Sequence, residues 1–128
     1  MVSTSAILSA ILLLSVHILH LKMALAETFI VGDDQGWDFE MQNWPQGKRF
    51  NAGDTLVFIY DRNQHNVVAV NRNGYVSCQV SPPNARVYTS GHDEIKLEAG
   101  LNYFISSIPG DCQEGMKIVV LGRYIESY

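Results

Sequence analysis

Two cysteines, Cys78 and Cys112, are all the thiols in a chain of 128 residues, and that scarcity bounds the chemistry. No Asn-x-Ser/Thr acceptor is present, which excludes N-glycosylation, and no glycine-rich phosphate loop is present, which removes nucleotide chemistry of that kind. Basic residues form no patch interleaved with aromatics, so nucleic acid is not an expected partner. Neither serine of the Ser106-Ser107 pair lies in a nucleophile-elbow glycine pattern, so Ser106, His65 and Asp111 are not read as a hydrolytic triad and no enzyme is expected. Repeats, low-complexity segments and a hydrophobic C-terminal tail are missing as well, and with the tail goes the signal for a lipid anchor.

The longest apolar run, Ala6 to Val16, is followed by the small-residue triplet Ala24-Leu25-Ala26. It falls well short of the roughly 20 residues that span a bilayer. We read residues 1 to 26 as a cleaved secretory signal, although Met1 to Ser5 carry no basic side chain, and residues 27 to 128 as the mature domain. The mature chain of 102 residues, 128 less 26, suits one compact domain with one core. Lys22 is the one charged residue removed with the signal, leaving 8 basic against 13 acidic side chains, a balance of −5 with histidines neutral. Such a surface disfavours nucleic acid and anionic lipid. The expected product is secreted, extracellular, monomeric and without a membrane anchor. In an oxidising compartment an even pair of cysteines points to one bridge, here closing a loop of 33 intervening residues and contributing roughly 3 to 4 kcal/mol.

Within the mature chain, short apolar runs with period-two character alternate with Gly, Pro, Asn and Asp, an all-β pattern. Strands are predicted at Thr28 to Val31, Thr55 to Tyr60, Asn66 to Asn71, Tyr75 to Val80, Ala85 to Tyr88, Asp93 to Leu97, Leu101 to Ser106 and Met116 to Leu121, with turns at Asn51-Ala-Gly-Asp54 and Asn73-Gly74. The run Thr55-Leu-Val-Phe-Ile-Tyr60 is apolar on both faces, which predicts a central strand. Asp33 to Gly47, with Trp37 and Trp44, reads as a long, partly ordered connection holding a helical turn.

Several spaced motifs then occur in one order: Val31-Gly32, Gly36-Trp37, Trp44-Pro45-x-Gly47-Lys48-x-Phe50, Ala52-Gly53-Asp54-Thr55-Leu56, His65-Asn66-Val67, Tyr88-Thr89-Ser90-Gly91 and Pro109-Gly-x-Cys112-x-x-Gly115-Met116-Lys117-Ile118. Together they resemble the phytocyanins of plants, most closely the plantacyanin or basic blue protein group. The resemblance covers nearly all of residues 27 to 121. It implies a cupredoxin-like Greek-key β-sandwich, a disulfide between Cys78 and Cys112, and a copper site at one end formed by a histidine before a middle strand and a Cys, His, Met loop.

At those positions stand His65, Ser106, Asp111 and Met116, the last three spaced five apart. Only His65 and Met116 retain the ligand type. Serine keeps its proton at ordinary pH and is a hard oxygen donor, so it cannot replace the thiolate that makes a blue-copper centre. If Cys78 and Cys112 are bridged, no thiolate remains. The expectation is therefore no metal cofactor, copper being expected only if the chain is instead a plantacyanin-type electron carrier. One imidazole and one carboxylate, His65 and Asp111, offer at most a weak, unselective site for Cu(II) or Zn(II).

Read individually, His65 is expected as an exposed loop-end residue without a partner, Asp111 as an acceptor for loop amides, Ser106 as a small locally bonded filler, Met116 as packing at the sheet end, and His92 as solvated. Ile108, Pro109 and Met116 are expected to form an apolar patch rimmed by Asp111 and Glu114, a binding surface for an extracellular protein or small ligand. The sequence therefore points to a secreted, non-redox binding or signalling module.

Overall fold

The computed structural model describes residues 25–126 together with residues 7, 9 and 11. The expected signal at residues 1–26 thus lies almost wholly outside the described residues. Among the described residues no helix is long and apolar enough to cross a membrane.

Among the described residues eight strands form two sheets. The first sheet has three strands, in the order β1 (Thr28–Ile30), β3 (Thr55–Ile59) and β6 (His92–Lys96), with β3 parallel to β1 and antiparallel to β6. The second has five, in the order β2 (Phe50–Asn51), β8 (Lys117–Arg123), β7 (Gly100–Ile105), β4 (Val67–Val70) and β5 (Val87–Tyr88). This is the all-β, cupredoxin-like sandwich expected. The two-sided run at residues 55–60 supplies the central strand of the smaller sheet, with Leu56, Val57 and Phe58 buried.

Period-two alternation divides the apolar residues between two cores. In β4, Val67 packs in the core between the sheets while Val68 and Val70 point the other way. In β7, Phe104 joins the inner core and Ile105 the outer one. Trp37, Leu56, Phe58, Met116 and Ile118 are among the residues that fill the inner core, where Trp37 and Phe58 meet edge to face at 5.0 Å. The outer core lies beneath a helix and the disulfide, which joins Cys78 to Cys112 as expected.

That helix, α1 (Arg72–Ser77), replaces part of the strand predicted at Tyr75 to Val80. Local capping outweighs the β propensity of Tyr75 and Val76. The Asn71 side chain accepts the Gly74 amide at 2.9 Å, capping the first turn, and Cys78 ends the helix in the left-handed region at φ 56°. Gly74, read from sequence as part of a turn, lies inside the helix, where a Cβ would come within 2.7 Å of Val70 Cβ. Strand β2 went unread because two residues show no period; it is fixed by parallel pairing with β8 at Phe50↔Gly122. In the 33–47 connection a single 3-10 turn forms, at Asp33–Gln35.

Candidate functional site

Strand register brings the four singled-out positions to one end of the sandwich. β3 runs towards this end and β4 leaves from it, so the 60–66 connection carrying His65 sits here. β7 runs out at Ile105 and β8 starts at Lys117, so the loop holding Ser106, Asp111 and Met116 closes over the same end. The loop is drawn tight by its own main chain: the Ser106 amide donates to Met116 O at 3.0 Å, and the Met116 amide donates to Asp111 O at 3.0 Å. Cys112 ties it to the end of α1.

Asp111 is the centre of the arrangement. Its buried carboxylate accepts, on Oδ2, the Ser106 hydroxyl at 2.7 Å and His65 Nδ1 at 2.6 Å. A carboxylate can only accept, so His65 Nδ1 is the donor in this bond. Asn66 extends the network: its Oδ1 accepts the Ser107 amide at 2.8 Å, its Nδ2 donates to Ser107 Oγ at 2.8 Å, and its carbonyl accepts Trp37 Nε1 at 3.0 Å. Ser106 Oγ is 3.4 Å from Asn66 Oδ1, so its stronger bond is to Asp111.

Three expectations are corrected here. The His65 side chain is only 13% exposed and is bonded to Asp111, because Asp111 gives the imidazole a buried partner. The Asp111 side chain serves side-chain donors rather than loop amides; the amides of Glu114 and Met116 go to its main-chain carbonyl. Met116 is fully buried in the inner core and so cannot line a surface patch. Ile108 and Pro109 remain exposed. Ser106 is fully buried, and His92 is exposed, 3.9 Å from Glu94.

Sequence reasoning missed Asn66 and Phe39. Asn66 was visible only as the residue after His65 in a motif. Phe39 lay in a segment without period, yet its ring stands edge-on to the imidazole with centroids 5.5 Å apart. It reaches His65 because residues 40–42 cross directly over the loop: the Met41 amide donates to Gly115 O at 2.9 Å, and a Cβ at Gly115, where φ is +86°, would come within 2.9 Å of the Glu40 nitrogen.

Three comparisons bear on this geometry. The plastocyanin-like domain family matches residues 34–116. A basic blue protein of Cucumis sativus is 53% identical over 92 residues, covering 72% of this chain and 95% of the relative. The chain belongs to the phytocyanin family. A chemocyanin of Lilium longiflorum is 52% identical over 99 residues, spanning 77% of this chain and 78% of the relative. Among solved structures, cucumber basic protein, a blue copper protein, superposes with a TM-score of 0.72 at 52% identity, covering 74% of this phytocyanin and 98% of that chain.

The family implies copper, and the residues of this phytocyanin do not fit a blue-copper ion. Both cysteines are in the disulfide, so no thiolate exists to bind it. Ser106, Asp111 and His65 are satisfied by one another, and among the described residues no third His, Cys, Asp or Glu side chain joins His65 and Asp111 in a group that could hold a metal. Nor does the grouping order a nucleophile: the Ser106 hydroxyl donates to the carboxylate instead of to the imidazole, so His65 is not placed to take its proton.

Proposed function

We propose that this phytocyanin is a secreted, non-redox binding module of the plant extracellular space that uses the His65 end of the sandwich as its recognition surface. The observation that carries this reading is the Asp111 carboxylate, bonded to the side chains at two other family ligand positions. Electron transfer of the blue-copper type needs a soft thiolate and an open coordination sphere. Here a hydroxyl stands in place of the thiolate, and the first-histidine nitrogen facing the loop is already occupied by a carboxylate. The same bonds pre-order the loop without a metal, so the exposed residues Phe39, Ile108 and Pro109 are presented on a fixed frame.

The test is the visible spectrum of the protein loaded with Cu(II), beside that of the double variant Ser106→Cys, Asp111→His. The native protein is expected to give no intense visible band, and the double variant, with the scaffold intact, is expected to give one. An intense band with one tightly held copper in the native protein would instead assign it to the plantacyanin-type electron carriers, the reading its overall similarity favours.

A further inference from the structure

We propose that the occupant of the His65 end is a basic, partly apolar polypeptide segment, which seats an apolar side chain on Phe39, Ile108 and Pro109 and sets its cations against Glu40, Asp61 and Glu114. This rests on the reading above that this end is the binding surface, and it adds the chemistry of the partner.

The apolar part lies on the two connections that flank one imidazole. Phe39, 39% exposed, stands against the His65 ring, and Ile108, 38% exposed, is joined to the same ring through Asp111, whose amide donates to Ile108 O at 3.0 Å. Three connections converge to make this surface, and each contributes an exposed carboxylate. Glu40 follows Phe39, and its amide donates to Glu114 O at 3.2 Å, which sets the two acidic residues side by side. Asp61 accepts the His65 amide on its carbonyl at 3.0 Å, placing it at the base of the His65 turn.

Among the described residues no Lys or Arg side chain pairs with a carboxylate, so Glu40, Asp61 and Glu114 have no cationic partner. Three of the cations are engaged with aromatic rings: Lys48 lies over Trp44 at 5.0 Å, Arg86 over Tyr88 at 4.7 Å and Lys117 over Tyr75 at 4.3 Å. Arg62, exposed on the same connection as Asp61 and His65, is the cation nearest this surface in sequence. Three exposed carboxylates therefore outnumber Arg62 on the connections that form this surface, leaving it with an excess of negative charge. A surface of this kind selects cationic partners by steering and by their freedom from repulsion, while its apolar centre supplies contact area.

The experiment is a nuclear magnetic resonance titration of the labelled protein with three synthetic peptides of equal length, alternating Lys-Leu, Glu-Leu and Lys-Ser. The Lys-Leu peptide is expected to shift the amides of Phe39, Glu40, His65, Ile108, Asp111 and Glu114. Its binding is expected to weaken about tenfold both for Lys-Ser and for the double variant Glu40→Lys, Glu114→Lys, and to fall as salt is raised. Both glutamates are exposed, and unchanged shifts along β7 and β8 in the double variant would show that it is folded. Lys-Leu binding that maps elsewhere, or that survives the charge reversal, overturns the proposal. If Glu-Leu shifts the same amides equally well, the preference for cations fails while the surface assignment stands; if no peptide shifts them, both fail.

Discussion

The two ends of this sandwich each bury a carboxylate, and the donors that satisfy them are of different kinds. At the end where β3 starts, Asp54 is 2% exposed and accepts two main-chain nitrogens, Glu27 at 2.9 Å and Asn51 at 2.8 Å. At the other end, Asp111 is 6% exposed and accepts two side chains, Ser106 and His65, which occupy positions that match metal ligands in relatives. Main-chain donors are present whatever the neighbouring residues are, so Asp54 answers a need of the backbone itself. Side-chain donors exist only because those residues are there, and the bonds of Asp111 therefore depend on Ser106 and His65 both being present.

The largest effect that would sharpen this contrast is expected from Asp54→Ala. It strands two main-chain nitrogens at a buried site and should lower stability by about 3 kcal/mol in urea denaturation. Asp111→Ala leaves a hydroxyl and an imidazole nitrogen without their acceptor, and because the imidazole borders solvent the expected loss is smaller, about 2 kcal/mol by the same measurement. Equal losses at the two sites would break the comparison. Met116→Leu should cost about 1 kcal/mol and leave the secondary structure unchanged by circular dichroism, since the side chain fills core volume and a leucine nearly conserves it.

The smallest effect concerns a third buried carboxylate, Asp93, which accepts the Tyr60 and Ser90 hydroxyls. Burial, and then the hydrogen bond to Asp93, push the Tyr60 hydroxyl up to about 12 from its usual 10.0. The folded state thus holds this proton more tightly than the unfolded chain does. The resulting stability is fully present below pH 10 and is lost as the pH rises through about 12. A tyrosinate absorbance titration should show one phenol ionising late in the wild type, and that late step should be missing from Tyr60→Phe.

The difference between the two ends also marks how much could be read in advance. Asp54 sits in Asn51-Ala-Gly-Asp54, a turn legible by composition because its carboxylate bonds an amide three residues away. The Asp111 set spans positions 65, 106 and 111, and nothing local couples them. Resemblance to a family picked out all of these positions, but not that the hydroxyl, carboxylate and imidazole would bond to one another. The partnered state of His65 was misread for that reason. The helix at Arg72–Ser77 was misread for another: a single side-chain cap and a close glycine contact decided against a strand, and neither shows in period-two counting. Phe39 was missed because the loop that carries it is held by main-chain bonds to Glu114 and Gly115, which have no pattern in the sequence.

By itself the sequence determined the two-sheet architecture, through alternation of apolar residues that must leave water, and it determined that no cysteine is left over for a metal once Cys78 and Cys112 are joined. Only the tertiary structure decided what the residues at the ligand positions do with one another and which apolar side chains reach the surface beside them. Burial and hydrogen-bond partners are properties of distances between residues far apart along the chain, and strand register fixes those distances where sequence neighbours cannot.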